Sequence, residues 1–226
     1  MTRQFTQNGL TVPYIAAWSS EKTVSPLVER REAKGGPCLA YRDESPYDRD
    51  MWGALWIRQA IGRGKGRANF AAVHALRQRQ AMIRLLCQVC GTDILAQSPE
   101  RQLFVLKDTG QPVTEGETTT APPLCLPCAL VSVRDCPHLR TGHVAAWVGR
   151  PQVWGVAGVV YDPTTLRPVS PPANRPTAEI AYDDPAIRWT LAARHVNVLH
   201  DVTPVQLSDL VAEAGQPAPG RTADHP

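Results

Sequence analysis

The sequence predicts an α+β protein organised around a metal site. Two C-x-x-C pairs, Cys87-Gln88-Val89-Cys90 and Cys125-Leu126-Pro127-Cys128, stand 34 residues apart. An apolar share of 43% is enough to build a packed core, while 21 prolines argue for many loops and against an all-helical bundle. Short strand-like apolar runs alternate along the chain with segments of helical period. At 226 residues the chain can hold one sizeable domain or two small ones.

The cysteine pairs set the chemistry. One C-x-x-C directs two thiolates at one ion, and two pairs complete a tetrahedral zinc shell of Cys87, Cys90, Cys125 and Cys128. The stretch from Met1 to Pro13 is polar and carries no secretory apolar core. The longest apolar run, near Val153 to Tyr161, is far short of the ~20 residues that span a bilayer. A cytoplasmic location without membrane contact is therefore expected, where thiols stay reduced and serve as metal ligands rather than disulfides. Four thiolates leave no open position for water, which disfavours Lewis-acid catalysis at that ion. A redox C-x-x-C or an iron–sulfur cluster is the alternative, although neither pair sits in a thioredoxin-like βαβ pattern.

The elements are read in chain order. Residues 1–50 read as irregular, with a strand candidate at Leu10–Trp18 and turn signals at Gly35-Gly36-Pro37. Residues 51–143 form a basic helical segment (to residue 86) followed by the zinc-binding core. On a 100° wheel Ala72, Ala75, Leu76, Met82, Ile83 and Leu86 share one arc, with Phe70, Val73, His74, Arg77 and Arg84 opposite. Arg79 falls inside the apolar arc, where a charge needs a carboxylate or carbonyl partner, or else marks a binding surface. Leu103–Lys107, the turn at Asp108-Thr109-Gly110 and a shorter polar strand predict a local hairpin. Pro127 suits the first turn of a helix running on from the second pair.

Residues 144–215 read as a β-rich region with a terminal helix. Val144–Trp147 and Val153–Tyr161 are expected to form a hairpin turning at Gly149-Arg150-Pro151. Asp162 to Thr177 is a proline-rich connection, and Asp184-Pro185 starts a short helix through Trp189. The last helix is expected from a capping box at Thr203-Pro204-Val205-Gln206, with a stripe of Leu207, Leu210, Val211 and Ala214 and a stop at Gly215. Residues 216–226 read as a disordered tail.

The succession of knuckle, hairpin and ligand-bearing helix resembles a treble-clef zinc finger. Its spacing also resembles the His-Asn-His (HNH) nucleases that enclose their ββα unit between two C-x-x-C pairs, over residues 87–132. The resemblance implies zinc as the cofactor. HNH chemistry needs a histidine base, an orienting asparagine and a metal-binding histidine, but residues 91–124 contain neither histidine nor asparagine. The segment is therefore read as a zinc scaffold without nuclease machinery.

Charge supplies the second functional reading. From Met51 to Thr92 there is no Asp or Glu, while Arg58, Arg63, Lys65, Arg67, Arg77, Arg79 and Arg84 give the segment +7. Residues 1–50 are neutral and residues 93–226 carry −4. This basic block predicts phosphate-backbone contact with DNA or RNA; a solvated face paired with the acidic C-terminal part is the competing reading. Gly62-Arg63-Gly64-Lys65-Gly66-Arg67 is either a phosphate-contacting or simply a flexible loop. Cys136, His138 and His143 are candidates for an additional metal site, or for packing beside the first. Cys38 reads as a small buried hydrophobe. Three function classes follow: a structural-zinc protein that binds nucleic acid, a zinc-stabilised protein-interaction module, and, less favoured, an enzyme using Cys136, His138 and His143.

Overall fold

In the computed structural model, residues 3–24, 26–170 and 177–214 are described. The described residues of positions 1–50 are largely not irregular. They form β1 (Phe5–Gln7), β2 (Leu10–Val12), β3 (Ala16–Trp18), β4 (Thr23–Val24), β5 (Val28–Ala33) and β6 (Gly36–Tyr41). β1 pairs with β2 and β5 with β6, both antiparallel. The expected turn forms between β5 and β6, where Gly35 and Gly36 take φ of +91° and +105°, open only to residues without a Cβ penalty. The Leu10–Trp18 candidate is two strands, β2 and β3, interrupted at Pro13.

The helix expected through residue 86 contracts. β7 (Leu55–Trp56), β8 (Arg58–Gln59) and β9 (Ala68–Val73) precede α1 (Ala75–Ile83), which has nine residues. The reason is long-range pairing: β9 takes its partner from β3, and β8 from β4, both far upstream. The buried face of α1 is accordingly rotated from the wheel. Ala75, Arg77, Gln78, Ala81 and Met82 are buried, whereas Ile83 is exposed.

The central sheet is built from β10 (Gln102–Lys107), β11 (Thr118–Thr119), β12 (His143–Val160), β13 (Ala178–Ala181) and β14 (Thr190–Val205). Its order is β10-β12-β14-β11, with β13 added beside β12 and β7 parallel to β14. α2 (Leu126–Asp135) and α3 (Pro137–Arg140) lie between β11 and β12, and α4 (Leu207–Ala214) follows β14. The local hairpin expected after Leu103 does not close: β10 pairs with β12, Leu103 opposite Trp147, and β11 pairs with β14. The Asp108-Thr109-Gly110 turn exists, with Gly110 N donating to Asp108 Oδ1 at 2.7 Å.

The hairpin expected at Gly149-Arg150-Pro151 is instead one 18-residue strand. Leu199 N donates to Glu117 O, away from β12, so the Pro151–Leu199 pair exchanges no bonds between β12 and β14. Pro151 thus points its missing N–H toward an edge left open, among the described residues, between β10, which ends opposite Val148, and β13, which starts opposite Gly155. Two register shifts in the β12–β14 ladder fall at Val153/Gly155 and Ala157/Gly158. A Cβ on Gly158 would collide with the Leu191 carbonyl oxygen, and one on Gly155 with that of Ile180. Gly158→Ala is therefore expected to lower unfolding free energy by about 1–3 kcal/mol, read by urea denaturation, because the collision is with backbone and not with a side chain that can rotate away.

The Asp184-Pro185 start forms a short 3₁₀ helix through Trp189, capped by Asp184 Oδ1 on Ala186 N at 2.8 Å. The capping box at 203–206 does not form, because β14 continues through Thr203 and Pro204 to Val205. Leu207 and Leu210 of α4 are nevertheless buried against the sheet, while Val211 is exposed. Part of the proline-rich connection, Gly215 and the 216–226 tail lie outside the described residues. No helix among the described residues is long and apolar enough to cross a membrane.

Successive residues of β10 serve two cores. Leu103 and Val105 face a cluster containing Cys87, Val89, Leu124, Ala129, Leu207 and Leu210. Phe104 faces the opposite cluster of Val113, Ala146, Val148 and Leu199. The four cysteines therefore border an apolar core beneath the central sheet.

Candidate metal centre

The first pair lies immediately after α1. Leu85 adopts φ +49° and Leu86 N returns to Ala81 O at 2.9 Å, which ends the helix and leads into Cys87. Gly91 N then donates to Cys87 O at 2.8 Å, and Gly91 takes φ +71°, so the chain reverses right after Cys90. The second pair opens α2: Cys125 is its N-cap residue, Pro127 stands in its first turn, and Ala129 N donates to Cys125 O at 2.9 Å. Cys125 and Cys128 thus sit at the positive end of a ten-residue helix, which favours thiolates.

All four Sγ atoms lie within 4.8 Å of one another. Cys90 to Cys125 and Cys125 to Cys87 both measure 3.8 Å. A tetrahedral ion with Zn–S bonds of ~2.3 Å requires sulfurs about 3.8 Å apart, whereas a disulfide requires ~2.0 Å. The four thiols are therefore free and spaced to hold a metal ion. Hydrogen bonds from Cys128 and Cys87 draw the Cys125 thiol down to about 4, and the Cys128 thiol is pushed up by its contacts with Cys125 and Cys87. Sulfurs this close cannot all carry charge unaided; a divalent cation held at their centre would let all four ionise. Cys90 Sγ donates to Thr92 Oγ1 at 3.2 Å, a hydroxyl that would become the donor were Cys90 ionised.

Backbone bonds join the knuckle to the rest of the chain. Tyr14 N donates to Val89 O at 2.9 Å and Ile15 N to Gln88 O at 3.2 Å. Gln88 N donates to Pro123 O, and Leu124 N to Leu103 O, linking the two pairs to each other and to β10.

The additional candidates do not join. The four cysteines form the one ligand cluster among the described residues, and it omits Cys136, His138 and His143. Cys136 is the junction of α2 and α3, its N–H bonded to Ser132 O at 2.9 Å. His143 is 3.3 Å from Leu139 O through Nδ1. Cys38 is buried, as expected of a small hydrophobe.

The basic residues divide into three groups. Arg58 is spent on Asp48 at 2.7 Å and Asp43 at 2.9 Å, and Arg77 on Glu21 at 2.6 Å. Their partners are in residues 1–50, not in the acidic C-terminal part. Lys65, Arg67 and Arg84 are exposed. Arg63 packs against Phe5 and Tyr14, and Arg79 over Trp56, both without a carboxylate partner among the described residues. The glycine loop is an ordered turn: Ser20 Oγ donates to Lys65 O at 2.9 Å and Arg67 N to Ser19 Oγ at 3.0 Å.

A buried polar cluster was not legible in the sequence, because its members come from positions 50, 56, 182 and 195. Asp50 Oδ2 accepts from Trp56 Nε1 at 2.8 Å and from Tyr182 Oη at 2.7 Å, and Tyr182 Oη lies 3.4 Å from His195 Nδ1. His195 is 0% exposed, and burial lowers its pKa to about 4. Its neutral form is favoured in the folded chain, so stability is full above the unfolded value of ~6.5 and falls as pH drops from there toward 4, by about 3 kcal/mol in total. Melting curves between pH 7 and 4.5 are expected to flatten in His195→Gln relative to the unaltered chain, at matched metal content. No family model matches this sequence, and neither a curated protein nor a solved structure matches it.

Proposed function

We propose that Cys87, Cys90, Cys125 and Cys128 bind one structural zinc ion that fastens the N-terminal strands and α2 to the central sheet. The observation that carries this reading is the pair of 3.8 Å sulfur separations, the edge length of a tetrahedral zinc–thiolate site. Four thiolates fill the coordination shell, which suits a structural ion better than a catalytic one. The reversal at Gly91 and the helix opened by Cys125 are the two ligand-bearing parts of a treble-clef-like unit; the strand between them pairs with β12 in place of a local hairpin partner. Metal analysis of the purified protein is expected to give one zinc per chain, and a chain without bound metal at native stability sinks the proposal.

The second reading, nucleic-acid binding, rests on Arg63, Lys65, Arg67 and Arg84. It is favoured by the exposure of Lys65, Arg67 and Arg84 and by the ordered loop carrying three of the four. Arg58 and Arg77 drop out, since their charges are neutralised internally. Binding to single-stranded or duplex oligonucleotides at ~50 mM salt should weaken steeply as salt rises, and should drop in Lys65→Gln/Arg67→Gln. Retention of full affinity in that variant rejects this surface, and an affinity-purified complex with an acidic protein partner would put a protein in the place of nucleic acid.

A further inference from the structure

Four arginines of the basic segment turn inward, and two of them, Arg63 over Phe5 and Tyr14 and Arg79 over Trp56, have no ion-pair partner among the described residues. Arg77 meets Glu21, and Arg58 meets Asp48 and Asp43. Arg79 meets none. Its guanidinium lies 4.5 Å over the ring of Trp56, and Nη1 is buried without a hydrogen-bond acceptor. Asp50 is the carboxylate that acts on it electrostatically, but Asp50 is already saturated. Its Oδ1 accepts from Trp52 N and Ala54 N, both at 3.0 Å, and its Oδ2 from Trp56 Nε1 and Tyr182 Oη. Burial accordingly pulls the Arg79 guanidinium below its ordinary value, against the opposing pull of Asp50 and Tyr182.

A cation–π contact offsets only part of the cost of holding a charge away from water. Arg79 also lines a cleft of about 200 Å³ between α1 and the 47–59 segment. Tyr47, 90% exposed, stands on its rim, and Arg58 and Asp48 neutralise each other on its wall. The remaining net charge on the lining is that of Arg79.

We propose that this cleft binds an oxyanion, a phosphate or carboxylate group of a small ligand, with the Arg79 guanidinium as its counter-charge. A guanidinium presents paired N–H donors that match either group bidentately. The site is independent of the zinc ion and of the Lys65–Arg67 surface. It also accounts for a cation placed within an otherwise apolar stripe of the sequence.

The test uses the full-length zinc-loaded protein in chloride buffer at constant ionic strength. It is titrated separately with inorganic phosphate and with acetate, and followed by calorimetry and by melting temperature. One of the two anions is expected to bind saturably and to raise the melting temperature, and which one does so assigns the group. Arg79→Gln is expected to abolish that response while melting no lower than the unaltered chain without anion, since it removes an uncompensated charge. Arg79→Lys, which keeps the charge without the fork, should bind about tenfold more weakly. No saturable response to either anion, or an equal response in Arg79→Gln, overturns the proposal.

Discussion

Cys125→Ser is expected to release the zinc and to destabilise the chain by more than any other single substitution considered. Cys125 is in contact distance of both Cys90 and Cys87, so its loss removes the sulfur that links the two pairs. Structural zinc contributes roughly 10–16 kcal/mol to the folded state of zinc-finger peptides, and a three-thiolate remnant retains only part of that. The cost spreads because the site is a junction. Through Gln88 and Val89 it holds Tyr14 and Ile15, through Pro123 it joins the two pairs, and through Leu124 it reaches β10. Beneath it lies the cluster of Leu103, Val105, Ala129, Leu207 and Leu210, which depends on α2 and α4 remaining seated. Zinc stoichiometry by metal analysis and unfolding by far-ultraviolet circular dichroism check this together. The expected result is loss of stoichiometric zinc and of the cooperative transition at ambient temperature. Full zinc and an unchanged midpoint would exclude the four-cysteine centre.

The features legible in the sequence were those whose cause lies within a few residues. The C-x-x-C pairs, the glycine after Cys90, the proline in the first turn of α2 and the Asp184 cap are local chemistry, and the structure places each as expected. The misread segments have causes far along the chain. Ala68–Val73 has no strong intrinsic preference and becomes a strand because β3, some 50 residues earlier, pairs with it. Gly149-Arg150-Pro151 carries every local mark of a turn, yet the β14 ladder runs past it, and the proline meets an open edge where no hydrogen bond is lost. Strands of two or three residues, such as β4 and β8, offer too short a pattern for alternation to register.

The same limit applies to charge. A segment of +7 reads as a nucleic-acid footprint when its partners are invisible. Glu21 and Arg77 are 56 positions apart, and nothing local connects them. Once Arg58 and Arg77 are paired and Arg79 is turned inward, the exposed basic surface is smaller and shifts toward the Lys65–Arg67 loop. The segment thus has two jobs that composition merges: internal pairing to residues 1–50, and an outward patch.

Breaking the Glu21–Arg77 pair from one side is the second large expected effect. Arg77 Nη1 and Nη2 donate to Glu21 Oε1 and Oε2 at 2.6 and 2.7 Å, a bidentate pair buried on both sides. Every remaining polar atom is engaged: Glu21 also accepts from Trp18 N and Gly62 N, and Arg77 donates to Tyr14 O and Ala16 O. The pair therefore clamps α1 to the segment that grips the Cys87–Cys90 turn. Arg77→Met or Glu21→Leu alone leaves a buried charge without its partner and is expected to cost about 3–5 kcal/mol in urea denaturation at pH 7 with zinc retained. The double variant Glu21→Leu/Arg77→Met removes both charges, and its cost should be well below the sum of the two. Strict additivity would mean that the pair is not coupled. Acid provides an independent check. Burial raises the Glu21 carboxyl, but Arg77 and the Gly62 and Trp18 N–H groups outweigh it and hold the carboxyl below its ordinary value. The ionised form is thus worth most above the unfolded-chain value of ~4.3, and its contribution is lost as pH falls through the lower folded value. The double variant, lacking this carboxylate, should lose less stability than the unaltered chain over that acid range, and an identical loss would argue that Glu21 is not ionised in the folded protein.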